Sequence, residues 1–201
     1  MILFRLLLTA HFARILPGYP MYIDITGWQD CGKTSLAVKL ATRYSHEHRF
    51  PIIGDVIFHN MPNCLSLDKA DMRSYFGSLV TDEHRNEIII LDEVDTLFSH
   101  RFWQQREQAE KILDSFQDEK LNLLIISTSH QGKGFDLLLR DACRLIMMPH
   151  IDKHSGITNV TFGYTDQPLK GQFQIYVADI FPNYERWSVV KDSPRQHDEG
   201  D

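Results

Sequence analysis

Lys33 and Thr34 close the string Gly27-Trp28-Gln29-Asp30-Cys31-Gly32-Lys33-Thr34, which fits the pattern G-x-x-x-x-G-K-[ST]. That spacing suits one chemistry, the cradling of a nucleotide's phosphates. Glycines let the backbone fold back so that successive amide N–H groups point at the β-phosphate, and a helix that follows adds its positive N-terminal end. The expected contacts run from Gly27 through Trp28, Gln29, Asp30, Cys31 and Gly32 to Lys33, Thr34 and Ser35. Lys33 is then the cation that reaches the β/γ oxygens, and the Thr34 hydroxyl takes one Mg²⁺ position. Asp30 sets a carboxylate inside this loop, where it either weakens phosphate affinity or points outward.

A second constellation lies downstream, where EIIILDEVD (87–95) puts Asp92 and Glu93 after four apolar residues. A continuous apolar run suits a central parallel strand covered on both faces, and an acidic pair at its carboxyl end is where an α/β sheet puts its ligand. Beside a phosphate loop, the first carboxylate would hold Mg²⁺ through water and the second would polarise the attacking water. A third polar group, Ser127, Thr128, Ser129, His130 and Gln131, ends the apolar run LNLLII. These residues either sense the γ-phosphate or make local backbone bonds.

The elements that must position these residues are legible from periodicity. Met21 to Thr26 alternates as a strand into the loop, and Ser35 to His46 reads as a helix with Leu36, Leu40 and Tyr44 on one face. Pro51 to Asn60 reads as a β-branched strand closed by polar residues and Pro62. Asp68 is expected to N-cap a helix running towards Leu79. Asp95 to Lys120 is charged and helical, with its aromatic residues (Phe98, Phe102 and Phe116) expected in the core. FDLLLRDACRLIMM (135–148) puts Arg140 and Arg144 four apart on one helical face. From His150 the pattern changes to GITNVTFGY, FQIYVADIF and RWSVV, expected as an antiparallel edge or small appended sheet.

The fold class expected is therefore α/β, a mostly parallel central sheet flanked by helices with a small C-terminal antiparallel extension. Residues 1–20 are read as an extension that packs poorly, 21–150 as the core, 151–191 as the β extension of the same domain and 192–201 as a disordered tail. The first 16 residues combine leucines with Arg5, His11 and Arg14 in a run too short and interrupted to span a bilayer. Three readings of them stand: an amphipathic membrane or partner contact, a packed helix, or residues upstream of a natural start at Met21.

Composition sets further bounds. Apolar residues make up 43% and charged residues 24% of the 201, as in ordinary soluble domains. A net charge of −6 means that no global basic field holds nucleic acid, so any DNA contact needs a local patch or a ring of subunits. The three cysteines (Cys31, Cys64 and Cys143) are widely separated and odd in number, which argues for a reducing compartment. No CxxC pair or HExxH run occurs, so no zinc site is expected.

Taken together, the strand–loop–helix, the segment ending IFHN, the ILDEVD strand, and IISTSHQ followed by FDLLLR resemble the additional-strand P-loop ATPases. Within them the resemblance is to the FtsK/HerA superfamily, in the branch of zonular occludens toxin-like phage proteins and viral genome-packaging ATPases. Residues 21 to 150 carry it, with Arg101 and Arg106 on the helix after the acidic pair among its softer features. The resemblance implies ATP and Mg²⁺ as cofactors, with Lys33 and Glu93 as catalytic groups and Thr34 and Asp92 as metal ligands. It puts the γ-phosphate sensor at His130 or Gln131, and makes Arg140 an arginine given in trans to a neighbour's ATP. It further implies a homo-oligomeric, hexameric ring that moves DNA in the cytoplasm of a host cell or in a virion. Two other functions stay open: a phage assembly factor using ATP at a membrane through residues 1–16, and a small-molecule kinase. Against the kinase, Glu93 beside Asp92 suits activation of water, and no lid with several arginines is visible.

Overall fold

Strand β1 (Met21–Gly27) forms because its residues alternate: Ile23 and Ile25 face one layer of core, while Tyr22 and Asp24 face the other. The computed structural model describes residues 21–79, 85–97, 114, 116, 118, 121–130, 139, 142–165, 168 and 170–184. After β1 come α1 (Lys33–His48), β2 (Ile52–Gly54), β3 (Cys64–Ser66), α2 (Lys69–Ser78), β4 (Glu87–Leu91) and α3 (Val94–Leu97). Strands β5 (Leu123–His130), β6 (Leu145–Asp152), β7 (Ile157–Tyr164) and β8 (Lys170–Tyr176) follow, and a 3-10 turn spans Ala178–Asn183.

All eight strands form one sheet in the order β3-β2-β4-β5-β1-β6-β7-β8. The first six in that order are parallel, and β7 and β8 continue the sheet in antiparallel register. Strand β5 is therefore inserted between the loop-bearing β1 and the acid-bearing β4, which is the additional-strand arrangement. Because these three strands run the same way, their carboxyl ends meet at one edge of the sheet.

Both faces are covered, which explains the near-continuous apolar runs of β4 and β5. On one face α1 buries Leu36, Leu40 and Tyr44 against Ile25, Ile88, Ile90 and Ile126. The opposite face packs Ile89, Leu91 and Ile125 against Met72 and Phe76 of α2 and against Phe116, whose ring meets Tyr22 edge-on at 5.3 Å. Phe116 is thus a core residue, as its spacing suggested. Phe98 and Phe102 lie outside the described residues.

Three expectations change. The strand read over 51–60 is only three residues long, because after Gly54 the chain turns inward at buried Asp55 and reaches left-handed Asn60 and Asn63 before β3. Asn60 therefore does not end a strand, and that softer feature of the branch resemblance is not realised. The helical reading across Arg144 also fails: the Cys143 amide still donates to the Leu139 carbonyl as in a helix, but the Arg144 amide turns to the Tyr22 carbonyl and Leu145 begins β6. Alternation explains the strand: Leu145 and Met147 are buried in one core layer, while Ile146 packs partly buried against the other and Met148 is exposed. Finally, the second half of FQIYVADIF is the 3-10 turn, which straps across α1: Asp179 pairs with Lys39 at 2.5 Å, and the His59 amide donates to the Asn183 carbonyl.

Candidate active site

The loop between β1 and α1 is shaped by two glycines that cannot be replaced freely. A Cβ on Gly27 would lie 2.7 Å from the Cys31 sulfur, and Gly32 has φ 95° with the Ile151 side chain 3.0 Å from where its Cβ would stand. Strand β6 buttresses the loop from that side, with the Ile151 amide donating to the Cys31 carbonyl at 3.1 Å. Gly32 caps α1 without a side-chain hydrogen bond, and the first turn contains no acid. Its amide groups and the helix dipole are therefore available to an anion. Buried Lys33 points back into the loop and donates to the carbonyls of Gly27 and Trp28 at 3.3 and 2.9 Å.

Asp30 resolves in favour of pointing outward: its carboxylate lies 3.9 Å from Lys153, and its backbone is left-handed (φ 60°). Trp28 and Gln29 are exposed, and Cys31 is half-buried. Ser35 is buried, with its hydroxyl bonded to that of Tyr184 at 2.7 Å, so the C-terminal strap reaches the first turn of α1.

The acidic pair closes β4 directly opposite. Asp92 accepts from the hydroxyls of Thr34 at 2.9 Å and Thr128 at 2.7 Å, which joins the loop, β4 and β5 at one carboxylate. Burial pushes the Asp92 carboxyl up, partly countered by those two hydroxyls. A hydroxyl and a carboxylate meeting beside a buried lysine form a hard oxygen donor set of the kind Mg²⁺ prefers, so Thr34 and Asp92 fit the expected metal. Glu93 is half-exposed, and its Oε1 lies 3.3 Å from His130 Nε2. His130 is thus brought to the acidic pair, whereas Gln131, Arg140, Arg101 and Arg106 lie outside the described residues.

The sequence of residues 23–150 matches the family described as "ATPase family associated with various cellular activities (AAA)", well over half of the chain. The chain belongs to the AAA family. It is a P-loop ATPase. No curated protein sequence matches it. Among solved structures, one described as an ATPase domain is similar with a TM-score of 0.53 at 12% identity, covering 89% of this chain and 96% of that one. The flagellar accessory protein FlaH from Methanocaldococcus jannaschii gives a TM-score of 0.48 at 13% identity, covering 75% of this AAA chain and 79% of that one.

Several residues around the candidate site carry no local sequence signature. Asp55 sits level with the end of β4, 5% exposed, and accepts from the Asp92 amide at 2.6 Å. Its carboxyl is pushed up to about 7, chiefly by burial. The signal was an acid inside the apolar run IIGDVIF, hidden because that run was read as one strand. The hydroxyl cluster of β5 also divides in an unforeseen way. Alternation sends Thr128 to Asp92, while Ser127 and Ser129 donate to the two oxygens of buried Asp24 at 2.6 and 2.8 Å. These hydroxyls bond to neighbouring strands rather than to their own local backbone.

Burial raises the Asp24 carboxyl to about 6 from its ordinary 3.8, with the two serines offsetting part of the rise. The folded chain thus holds this proton more tightly than the unfolded chain, so stability falls as pH rises from 4 to 6 and then levels. Asp24→Asn is expected to remove that loss. Urea melts should show the variant gaining about 1–3 kcal/mol on wild type between pH 4 and pH 8. A difference independent of pH would contradict this assignment.

Proposed function

We propose that ATP hydrolysis at this site drives the movement of DNA, as translocation or packaging, in a virus or mobile element. The observation that carries the hydrolytic part is the position of Glu93. It follows a partly buried carboxylate tied to the loop's Thr34 and stands free enough to face solvent, which suits polarising a water. A kinase would need an acceptor held where that water attacks. The DNA part rests on the resemblance of the loop, ILDEVD, IISTSHQ and FDLLLR segments to the FtsK/HerA superfamily.

Within this reading the loop amides and Lys33 hold the phosphates, and Thr34 and Asp92 hold Mg²⁺. When bound, the metal neutralises charge developing on the phosphate oxygens. Glu93 takes the proton of the attacking water, with His130 holding its carboxylate. Gln131 is an alternative sensor, and Arg140 acts on a neighbour's nucleotide in a ring of identical subunits. Such a ring answers the acidity of the chain, because every copy repeats each local basic contact.

The test is binding by a Glu93→Gln variant held with ATP and Mg²⁺, presented with duplex DNA or with anionic liposomes. Retention on DNA that weakens steeply with salt supports the motor. Retention on liposomes alone, lost when residues 1–16 are removed, would replace it with the membrane-assembly reading. Among the described residues no helix is long and apolar enough to cross a membrane.

A further inference from the structure

Glu93 has a left-handed backbone, with φ 52°. In a residue with a Cβ that conformation is sterically unfavourable, so it persists only where neighbours impose it. Both amides of the Asp92–Glu93 turn are held by side chains from the two sides of β4. Just past β2, Asp55 Oδ1 accepts the Asp92 N–H at 2.6 Å; from β5, Thr128 Oγ1 accepts the Glu93 N–H at 2.8 Å. The Thr128 hydroxyl in turn donates a hydrogen bond to Asp92 Oδ1. Behind the turn, the amide and hydroxyl of Thr96 both donate to the Glu93 carbonyl at 2.8 Å.

Register explains why these two residues meet the turn. Gly54 pairs with Ile90 and Leu91 pairs with Ser127, so the next residue on each flanking strand, Asp55 or Thr128, arrives where β4 ends. Both are anchored: Thr128 is fully buried, and the Asp55 amide donates to the Ile90 carbonyl at 3.3 Å. Asp55 Oδ2 is buried with no partner among the described residues. Leaving a carboxylate oxygen unpaired out of water is costly, and an apolar residue would avoid that cost. What only an acceptor at this position provides is the bond to Asp92.

We propose that Asp55 and Thr128 are positioning residues for hydrolysis, a two-sided clamp on the acidic turn that imposes the strained backbone from which Glu93 presents its carboxylate. The clamp needs an acceptor oxygen on each side and no charge. It rests on Glu93 being the residue that activates water, so the test includes a variant of Glu93 itself.

Steady-state ATP hydrolysis by the full chain with Mg²⁺ is compared for wild type, Asp55→Ala, Asp55→Asn, Thr128→Val, Thr128→Ser and Glu93→Gln. Misplacing a reacting group by about an ångström costs up to about 100-fold. Asp55→Ala and Thr128→Val should therefore lose about 10- to 100-fold in kcat, with KM for ATP changing far less. Asp55→Asn and Thr128→Ser, which keep the acceptor oxygen, should recover most of that loss. Amide hydrogen exchange reads the clamp without turnover. The Asp92 and Glu93 amides should exchange faster in Asp55→Ala and Thr128→Val, while the Ile125 amide of β5 keeps its protection and reports an intact sheet. An Asp55→Asn variant as impaired as Asp55→Ala would overturn the clamp and assign Asp55 a role through its charge. So would unchanged kcat and exchange in Asp55→Ala and Thr128→Val while Glu93→Gln is inactive. Full activity in Glu93→Gln would instead overturn the reading of Glu93 on which the clamp rests.

Discussion

Glu93→Gln is expected to lower kcat for ATP hydrolysis by about 10²–10⁴-fold, the range for loss of a positioned general base, with ATP still bound. Glutamine keeps the size of the side chain and an oxygen that can face His130, but it cannot take a proton from water. Neither the glycine loop nor the pairing of Thr34 with Asp92 depends on the Glu93 carboxylate, so the ground-state contacts survive. Single-turnover phosphate release and calorimetric ATP binding check the two halves separately. Equal losses in binding and rate would mean that Glu93 holds nucleotide rather than acting on water.

Lys33→Ala carries the other large effect, at the binding step. The ammonium is buried within the loop on the carbonyls of Gly27 and Trp28, and triphosphate oxygens offer it stronger, charged acceptors. A hydrogen bond to a charged group is worth about 1.5–3 kcal/mol, so ATP affinity should fall about 10- to 100-fold, measured by equilibrium dialysis. Thermal stability should change less, because losing two bonds to neutral carbonyls is offset by no longer burying an ammonium. A variant that binds ATP normally would show that Lys33 stays with its own loop.

The contrast between these residues and the clamp explains what could be read from the chain. Lys33, Thr34, Asp92 and Glu93 were legible because their chemistry is local: fixed spacings within one loop and one strand end, bounded by strong periodicity. Asp55, Thr128 and Asp24 matter through cross-strand register, and register follows from strand order. Nothing in IIGDVIF reveals that its strand stops at Gly54 and lies beside β4. Alternation on β5 implied that Thr128 faces away from Ser127 and Ser129, but the partners of each face waited for the placement of β1 and β4. The mixture of parallel and antiparallel strands was visible in the change from continuous apolar runs to alternation after His150. The strand identity of LIMM was not, because four apolar residues after a helical pattern fit either period.

Acidity and a proposed task on DNA pull in opposite directions, so coupling between them tests the account most directly. The measurement is the release of inorganic phosphate from ATP and Mg²⁺ by the wild-type chain as duplex DNA is titrated at low and physiological salt. DNA should accelerate hydrolysis, with the stimulation weakening as salt rises and disappearing in Glu93→Gln. Glu93-dependent hydrolysis that stays flat across the DNA titration, or transfer of the phosphate to an acceptor in place of its release, would contradict it.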